Sequence, residues 1–136
     1  MNVKLPWLEQ MQGNEPFKIY SGLFIVLYIL SQFIMPYNNA CKEPRLSVKH
    51  YHRHKFIGCL APLVFFFHST QLGTAYLLLL STVYFSNFLV GIFNHERLKF
   101  ARHRVAYYKV WLPVHITLSV LLIGLVGFHV YVVASY

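Results

Sequence analysis

Long apolar stretches alternate along this chain with shorter polar stretches that carry nearly all of its charge. No Lys, Arg, Asp or Glu occurs in residues 56–95 or in residues 110–136. Each of these runs is longer than the roughly 20 apolar residues with which a helix crosses a bilayer. Because lipid satisfies no backbone polar group, helices are the spanning element that such a sequence favours. The pattern therefore predicts an integral membrane protein.

Turn-forming and basic residues divide the apolar sequence into four predicted spans. We expect the spans at about residues 17–37, 54–72, 75–93 and 110–136, with the second and third joined by the turn "QLGT". The fold predicted for residues 17–136 is all-α, an integral membrane four-helix bundle. Residues 1–16 precede this domain, and we expect them to lie at the membrane surface with Trp7 as an interfacial anchor.

The basic residues are clustered in a chain of 136 residues whose formal net charge is +8. Ten of the twelve Lys and Arg residues lie in residues 42–55 and 97–109, the polar stretches that follow the first and third spans. Four spans place both stretches on one side, and basic loops beside spans face the cytoplasm. We therefore expect a bacterial inner-membrane protein, or one of an equivalent organelle membrane, with both basic loops cytoplasmic. Cations beside apolar segments meet anionic lipid headgroups, so nucleic acid is not an expected partner.

Four of the eight histidines form two pairs with the same spacing. His54 and His68 are 14 residues apart, and so are His115 and His129. At 100° per residue, this spacing returns a side chain to within roughly 40° of the same helix face, about 21 Å further along the axis. The predicted topology makes the second and fourth spans parallel. We therefore expect His54 to face His115 near the inner edge of the membrane, and His68 to face His129 toward the outer edge.

Two facing imidazoles can occupy both axial positions of a haem iron, so the four histidines are predicted to ligate two haems b. On the second span, Gly58 lies on the ligand face and leaves room for a flat macrocycle. The structural alternative is a core histidine that is hydrogen-bonded to a backbone carbonyl or to a serine. Ionisable side chains inside a membrane are costly and usually functional, which favours the ligand interpretation.

The remaining histidines and the nearby cations leave two questions open. His52 lies about 160° from the His68 face, and His50 lies about 27 Å from His68 along a helix, yet either remains an alternative to His54. Basic side chains are candidate partners for haem propionates, although anchoring of the topology explains them too: Arg53, Lys55, Arg104 and Lys109. His95 and His103 are expected in solvated loops.

Two stretches, "HRHKFIGCLAPLVFFFH" and "YYKVWLPVHITLSVLLIGLVGFH", resemble the ferric reductase-like transmembrane domain superfamily, the bis-haem b cytochromes that also underlie NADPH oxidases. The first has an Arg-rich start, a glycine and a terminal histidine. The second has a Trp-x-x-x-His motif followed by another histidine one membrane leaflet further on. The resemblance covers residues 50–131 and implies electron transfer across the membrane, from a reduced flavin domain inside to an acceptor outside.

The predicted function is that of a membrane cytochrome b, an electron-transfer subunit of an oxidoreductase rather than a stand-alone enzyme. Its expected partners are membrane lipid and a soluble or membrane redox protein that docks at the basic loops, with quinone left open. The alternative is a haem-bearing or haem-free membrane anchor or assembly subunit of a larger quinone-linked respiratory or photosynthetic complex.

Overall fold

The computed structural model describes residues 5–34, 37, 44–93 and 101–135, without the side chains of residues 44–49 and 101–104. All the regular structure in these residues is helical, which confirms the all-α prediction for the described part of the chain. The helices, in chain order, are α1 Pro6–Gln12, α2 Glu15–Ser31, α3 Pro44–Cys59, α4 Ala61–His68, α5 Tyr76–Ile92 and α6 Ala101–Ser135.

The chain forms two compact units, Met1–Gln71 and Leu72–Tyr136. The first unit contains α1 to α4, and the second contains α5 and α6. In the first unit, α2 packs against both α1 and α4. In the second, α5 packs along α6, and the two helices run antiparallel because early residues of α5 contact late residues of α6.

The N-terminal helix α1 is attached to the end of α4 within the first unit. Pro6 begins α1, where the missing N–H costs no helical bond. Leu8 is only 2% exposed. The Gln12 amide donates to the carbonyls of Phe66 (3.0 Å) and Phe67 (3.2 Å), which lie in the last turn of α4 and lack partners within the helix. The predicted surface location of residues 1–16 stays a prediction.

The second predicted span is not one helix, because the chain breaks at Leu60 between α3 and α4. Pro62 lacks the N–H that would bond to the carbonyl of Gly58, and a proline ring crowds that carbonyl. The Leu60 N–H bonds to the carbonyl of Ile57, three residues back, at 3.0 Å. The Tyr28 hydroxyl of α2 donates to the same carbonyl at 2.7 Å. The expectation of an uninterrupted helix from His54 to His68 was therefore wrong.

The other helix boundaries also differ in part from those predicted. The third span matches α5 to within one residue at each end. The first ends at Ser31, where Gln32 and Phe33 bond three residues back in a tightened turn. The basic stretches predicted as loops are helical where the structure describes them: α3 begins at Pro44 and α6 begins at Ala101. His103 therefore lies in a helix, whereas His95 lies outside the described residues.

The described residues contain one helical segment long and apolar enough to cross a membrane, Val105–Ser135 of α6. The 17 residues of α5 are apolar but form a shorter helix. Length and composition thus agree with a span at α6. A membrane bundle of four spans is a proposal beyond this finding.

Candidate functional site

His68 is the last residue of α4, and its imidazole packs against α2 of the same unit. Its Nδ1 atom lies 2.9 Å from Oγ of Ser21, a residue that is 4% exposed. The next residue of α2 is Gly22, and a Cβ atom there would lie 3.4 Å from Cε1 of His68. The pair of small residues, Ser21 and Gly22, thus provides both a polar contact and room for the imidazole.

His54 lies on α3 and contacts the opposite end of α2. Its Nδ1 atom is 3.1 Å from the backbone carbonyl oxygen of Gln32, the residue that follows α2. Ser21 and Gln32 are 11 residues apart, which corresponds to about 16 Å along a helix. One element of the first unit therefore contacts both predicted ligands of that unit, at two different depths.

These contacts determine which nitrogen of each ring carries the proton. A backbone carbonyl only accepts, so Nδ1 of His54 donates to Gln32. The Ser21 hydroxyl donates to the carbonyl of Lys18 at 3.2 Å, and its oxygen accepts from Nδ1 of His68 in the tautomer that carries the proton there. In a neutral imidazole with the proton on Nδ1, the lone pair is on Nε2. The His54 ring is therefore in the tautomer that binds a metal through Nε2, and the Ser21 contact is compatible with the same tautomer of His68.

His129, in the second half of α6, contacts the beginning of α5. Its Nδ1 atom lies 3.5 Å from the hydroxyl oxygen of Tyr76, and the two ring centroids are 6.1 Å apart. The ring of Phe128 meets the same tyrosine edge-on at 5.4 Å. Tyr76 is thus the counterpart in the second unit of Ser21 in the first: a hydroxyl that faces Nδ1 of a predicted ligand.

His115, about four helical turns before His129 on α6, contacts the other end of α5. Its ring is stacked on that of Trp111, with centroids 5.4 Å apart and planes 10° apart. A Cβ atom at Gly91 would lie 3.4 Å from Cε1 of His115. The Ser119 hydroxyl donates to the backbone carbonyl of His115 at 2.8 Å. A glycine therefore faces one histidine in each unit, Gly22 in the first and Gly91 in the second.

Each predicted ligand thus lies against an earlier helix of its own unit or the residue that follows it. The structure brings His54 and His68 to α2, and it brings His115 and His129 to α5. Each predicted pair combines a histidine of the first unit with one of the second, so both pairings stay predictions.

The other predicted site residues lie on α3. Arg53 is exposed. Gly58 faces the side chain of Gln32, whose Oε1 atom would lie 3.8 Å from a Cβ atom at position 58. A macrocycle beside Gly58 would displace that side chain. Of the two alternative ligands, His52 is exposed and His50 is half-buried, with no hydrogen-bond partner for its Nδ1 atom among the described residues.

The contacting residues on α2 and α5 were not predicted as part of the site. They are Ser21, Gly22, Gln32, Tyr76 and Gly91. A faint signal was present, because the dipeptide Ser-Gly is unusual within the apolar sequence of the first span and glycine lowers helix stability. Nothing in the spacing shows which histidine such a residue faces.

Neither a metal-binding cluster among the described residues nor a comparison with known proteins assigns a role to these histidines. Among the described residues, no group of three or more His, Cys, Asp or Glu side chains is arranged to hold a metal ion. Comparison with protein-family models, with curated proteins and with solved structures finds no match for this chain. The resemblance to the ferric reductase-like superfamily stays a prediction that depends on the two stretches quoted for it.

Proposed function

We propose that the chain is a membrane cytochrome b whose four histidines, His54, His68, His115 and His129, ligate two haems b and so carry electrons between the two faces of a membrane. The donor set fits the group, because imidazole is an axial ligand of haem iron in many proteins. The pairing of His54 with His115, and of His68 with His129, is part of this proposal and rests on sequence spacing and charge distribution.

The observation that carries the proposal is the orientation of the two rings in the first unit. Metal-ligating histidines almost always donate the other ring N–H to a carbonyl or similar acceptor, which fixes the tautomer and the ring direction. His54 donates to the Gln32 carbonyl, and the Ser21 oxygen lies within hydrogen-bond distance of the same nitrogen of His68. Two histidines, 14 residues apart, thus direct Nδ1 to a protein oxygen, the arrangement in which Nε2 is the ligating nitrogen.

The same two hydrogen bonds also suit histidines with a purely structural role. The repetition of the arrangement favours ligation, because in each unit two histidines contact one earlier helix near its two ends. A structural histidine needs one partner and no repeat. The substitutions described below distinguish these explanations.

Exposed apolar side chains support the membrane location. Residues of α2 that are more than half exposed include Ile19, Tyr20, Leu23, Phe24 and Leu27. Residues of α6 with the same property include Val105, Val110, Ile116, Val120, Tyr131 and Val133. Contiguous apolar surface of this kind is rare on soluble monomers and marks contact with lipid or with another protein. Lipid is the occupant that also explains the uncharged runs in the sequence.

The residues of the chain prepare the ligands rather than react with a substrate. Haem b, when bound, supplies one-electron transfer. The Gln32 carbonyl accepts the Nδ1 proton of His54, and Ser21 contacts the corresponding nitrogen of His68, so that both rings are oriented by the protein. Two imidazoles for each iron leave no coordination position for a substrate. Donor and acceptor chemistry therefore belongs to partner proteins, which we place at the basic stretches 42–55 and 97–109, with quinone left open.

Single substitutions of the predicted ligands test the proposal. His68→Ala and His129→Ala should each lower the haem content from two per chain to one, as measured from the haem absorbance and the protein concentration. His103→Ala is the matched control, because this histidine lies on the same helix as His129 and is not a predicted ligand. Retention of two haems by both His68→Ala and His129→Ala would show that the histidines are structural.

A further inference from the structure

The aromatic pair Trp111 and His115 shares one face of α6. The residues are four positions apart, so their side chains are neighbours on the helix surface. Their planes are 10° from parallel, with centroids 5.4 Å apart. Near-parallel packing restricts rotation of the smaller ring about its own side-chain bonds.

The indole is itself attached to α5. Its Nε1–H donates to the backbone carbonyl of Val90 at 2.6 Å. Val90 lies in the last turn of α5, where backbone carbonyls accept no N–H from within the helix and need a donor from elsewhere. The indole therefore has a fixed orientation, set by a backbone atom rather than by a mobile side chain.

The residue after Val90 completes the arrangement. Gly91 has no side chain, and its Cβ position lies 3.4 Å from Cε1 of His115. An alanine Cβ at this position would already be in van der Waals contact with the imidazole, and a larger side chain would enter its space. Two consecutive residues of α5 thus have two functions: Val90 holds the indole, and Gly91 admits the histidine edge.

We infer that Trp111 is a positioning residue that sets the plane of the His115 imidazole. The inference rests on the proposed function, in which His115 is an axial ligand. Residues that orient a ligand also tune the metal that it binds. In bis-imidazole haems the angle between the two ligand planes determines the g values of the low-spin ferric state. Loss of the indole should therefore change one haem and leave the other unchanged.

Substitution of the two tryptophans provides a matched test. Trp111→Leu removes the stacked ring, Trp111→Phe keeps a ring but removes the donor to Val90, and Trp7→Leu makes the same change at a tryptophan that is 56% exposed on α1. The measurements are the haem-to-protein ratio, the ferric electron paramagnetic resonance spectrum and the midpoint potential of each haem.

Trp111→Leu should retain two haems per chain, with a shifted largest g value and a shifted midpoint potential for one of them. Trp111→Phe should give a smaller shift of the same haem, and Trp7→Leu should give none. Unchanged spectra and potentials in Trp111→Leu would overturn the inference. If the Trp111→Leu protein does not accumulate in cells, the test is made with Trp111→Phe. An unchanged largest g value in Trp111→Phe then overturns the inference.

A second measurement separates this inference from the proposed function. In a cycle of Trp111→Phe, His115→Ala and the double variant, residues in contact should give non-additive changes of the thermal midpoint. Additive changes would overturn the positioning role. A chain that contains no haem would overturn the proposed function instead, whatever the cycle shows.

Discussion

Removal of the Ser21 hydroxyl should weaken haem binding at His68. Ser21 is 4% exposed, and its Oγ atom is 2.9 Å from Nδ1 of His68. In Ser21→Ala the imidazole N–H has no acceptor at this position, and a buried donor without a partner costs about 1–3 kcal/mol. Loss of an outer-shell partner lowers metal affinity about 10–100-fold. This range corresponds to about 1.4–2.8 kcal/mol, so the two magnitudes agree.

The assay is the rate and extent of haem transfer from the purified protein to an excess of a haem-scavenging apoprotein. Ser21→Ala should lose one haem at a scavenger concentration about 10–100-fold lower than the parent requires, and it should keep the other haem. Ser21→Thr retains a hydroxyl and should hold both haems more tightly than Ser21→Ala does.

The matched control for Ser21→Ala is Ser31→Ala, on the same helix. The Ser31 hydroxyl donates to the carbonyl of Tyr28 at 2.7 Å and contacts neither predicted ligand of the first unit in the described hydrogen bonds. Ser31→Ala should retain both haems as the parent does. Equal haem retention by Ser21→Ala and Ser31→Ala would refute the argument that the Ser21 contact supports ligation.

Two further predictions concern glycines. Gly22→Leu should displace the His68 ring and lower haem content by one per chain, because the Cβ would already be in contact at 3.4 Å from Cε1 and the further carbons of leucine would enter the space of the ring. Gly124→Leu, whose Cβ would meet nothing within 4 Å, should leave haem content unchanged. Gly73 has a φ of +78°, and a Cβ there would lie 2.5 Å from Cβ of Leu77. Gly73→Ala should therefore cost about 1–3 kcal/mol in thermal unfolding, whereas Gly13→Ala, with a φ of −72°, should cost less. Equal effects of the two alanine substitutions would contradict this explanation.

The apolar pattern predicted helices well and helix continuity less well. The third span agrees with α5 because a long uncharged run there contains no proline. The second span was predicted to continue through Leu60 because the apolar run was given more weight than Pro62, although a proline in a helix interior removes a hydrogen bond. The stretch from Ala101 was predicted as a loop from its charge, yet Lys and Arg are good helix formers, and α6 continues through them.

The candidate site was predictable only along single helices. The interval of 14 residues places two histidines near one face only where the helix is continuous, as it is from His115 to His129, and it contains no information about the residue that meets them from another helix. The contact between Ser21 and His68 joins residues 47 positions apart, and that between Gln32 and His54 joins residues 22 positions apart. Such contacts depend on how the helices pack. A rotation of α2 by one residue would exchange the hydroxyl of Ser21 for the open space at Gly22 as the neighbour of Nδ1 of His68.

The haem content of the unaltered chain tests the central claim most directly. The purified protein should contain two haems b per chain by the pyridine haemochromogen assay, and its oxidised spectrum should be that of low-spin, six-coordinate iron with two histidine ligands. A colourless protein would contradict the account and would favour a haem-free assembly subunit. A content of one haem per chain would contradict the proposal that all four histidines are ligands.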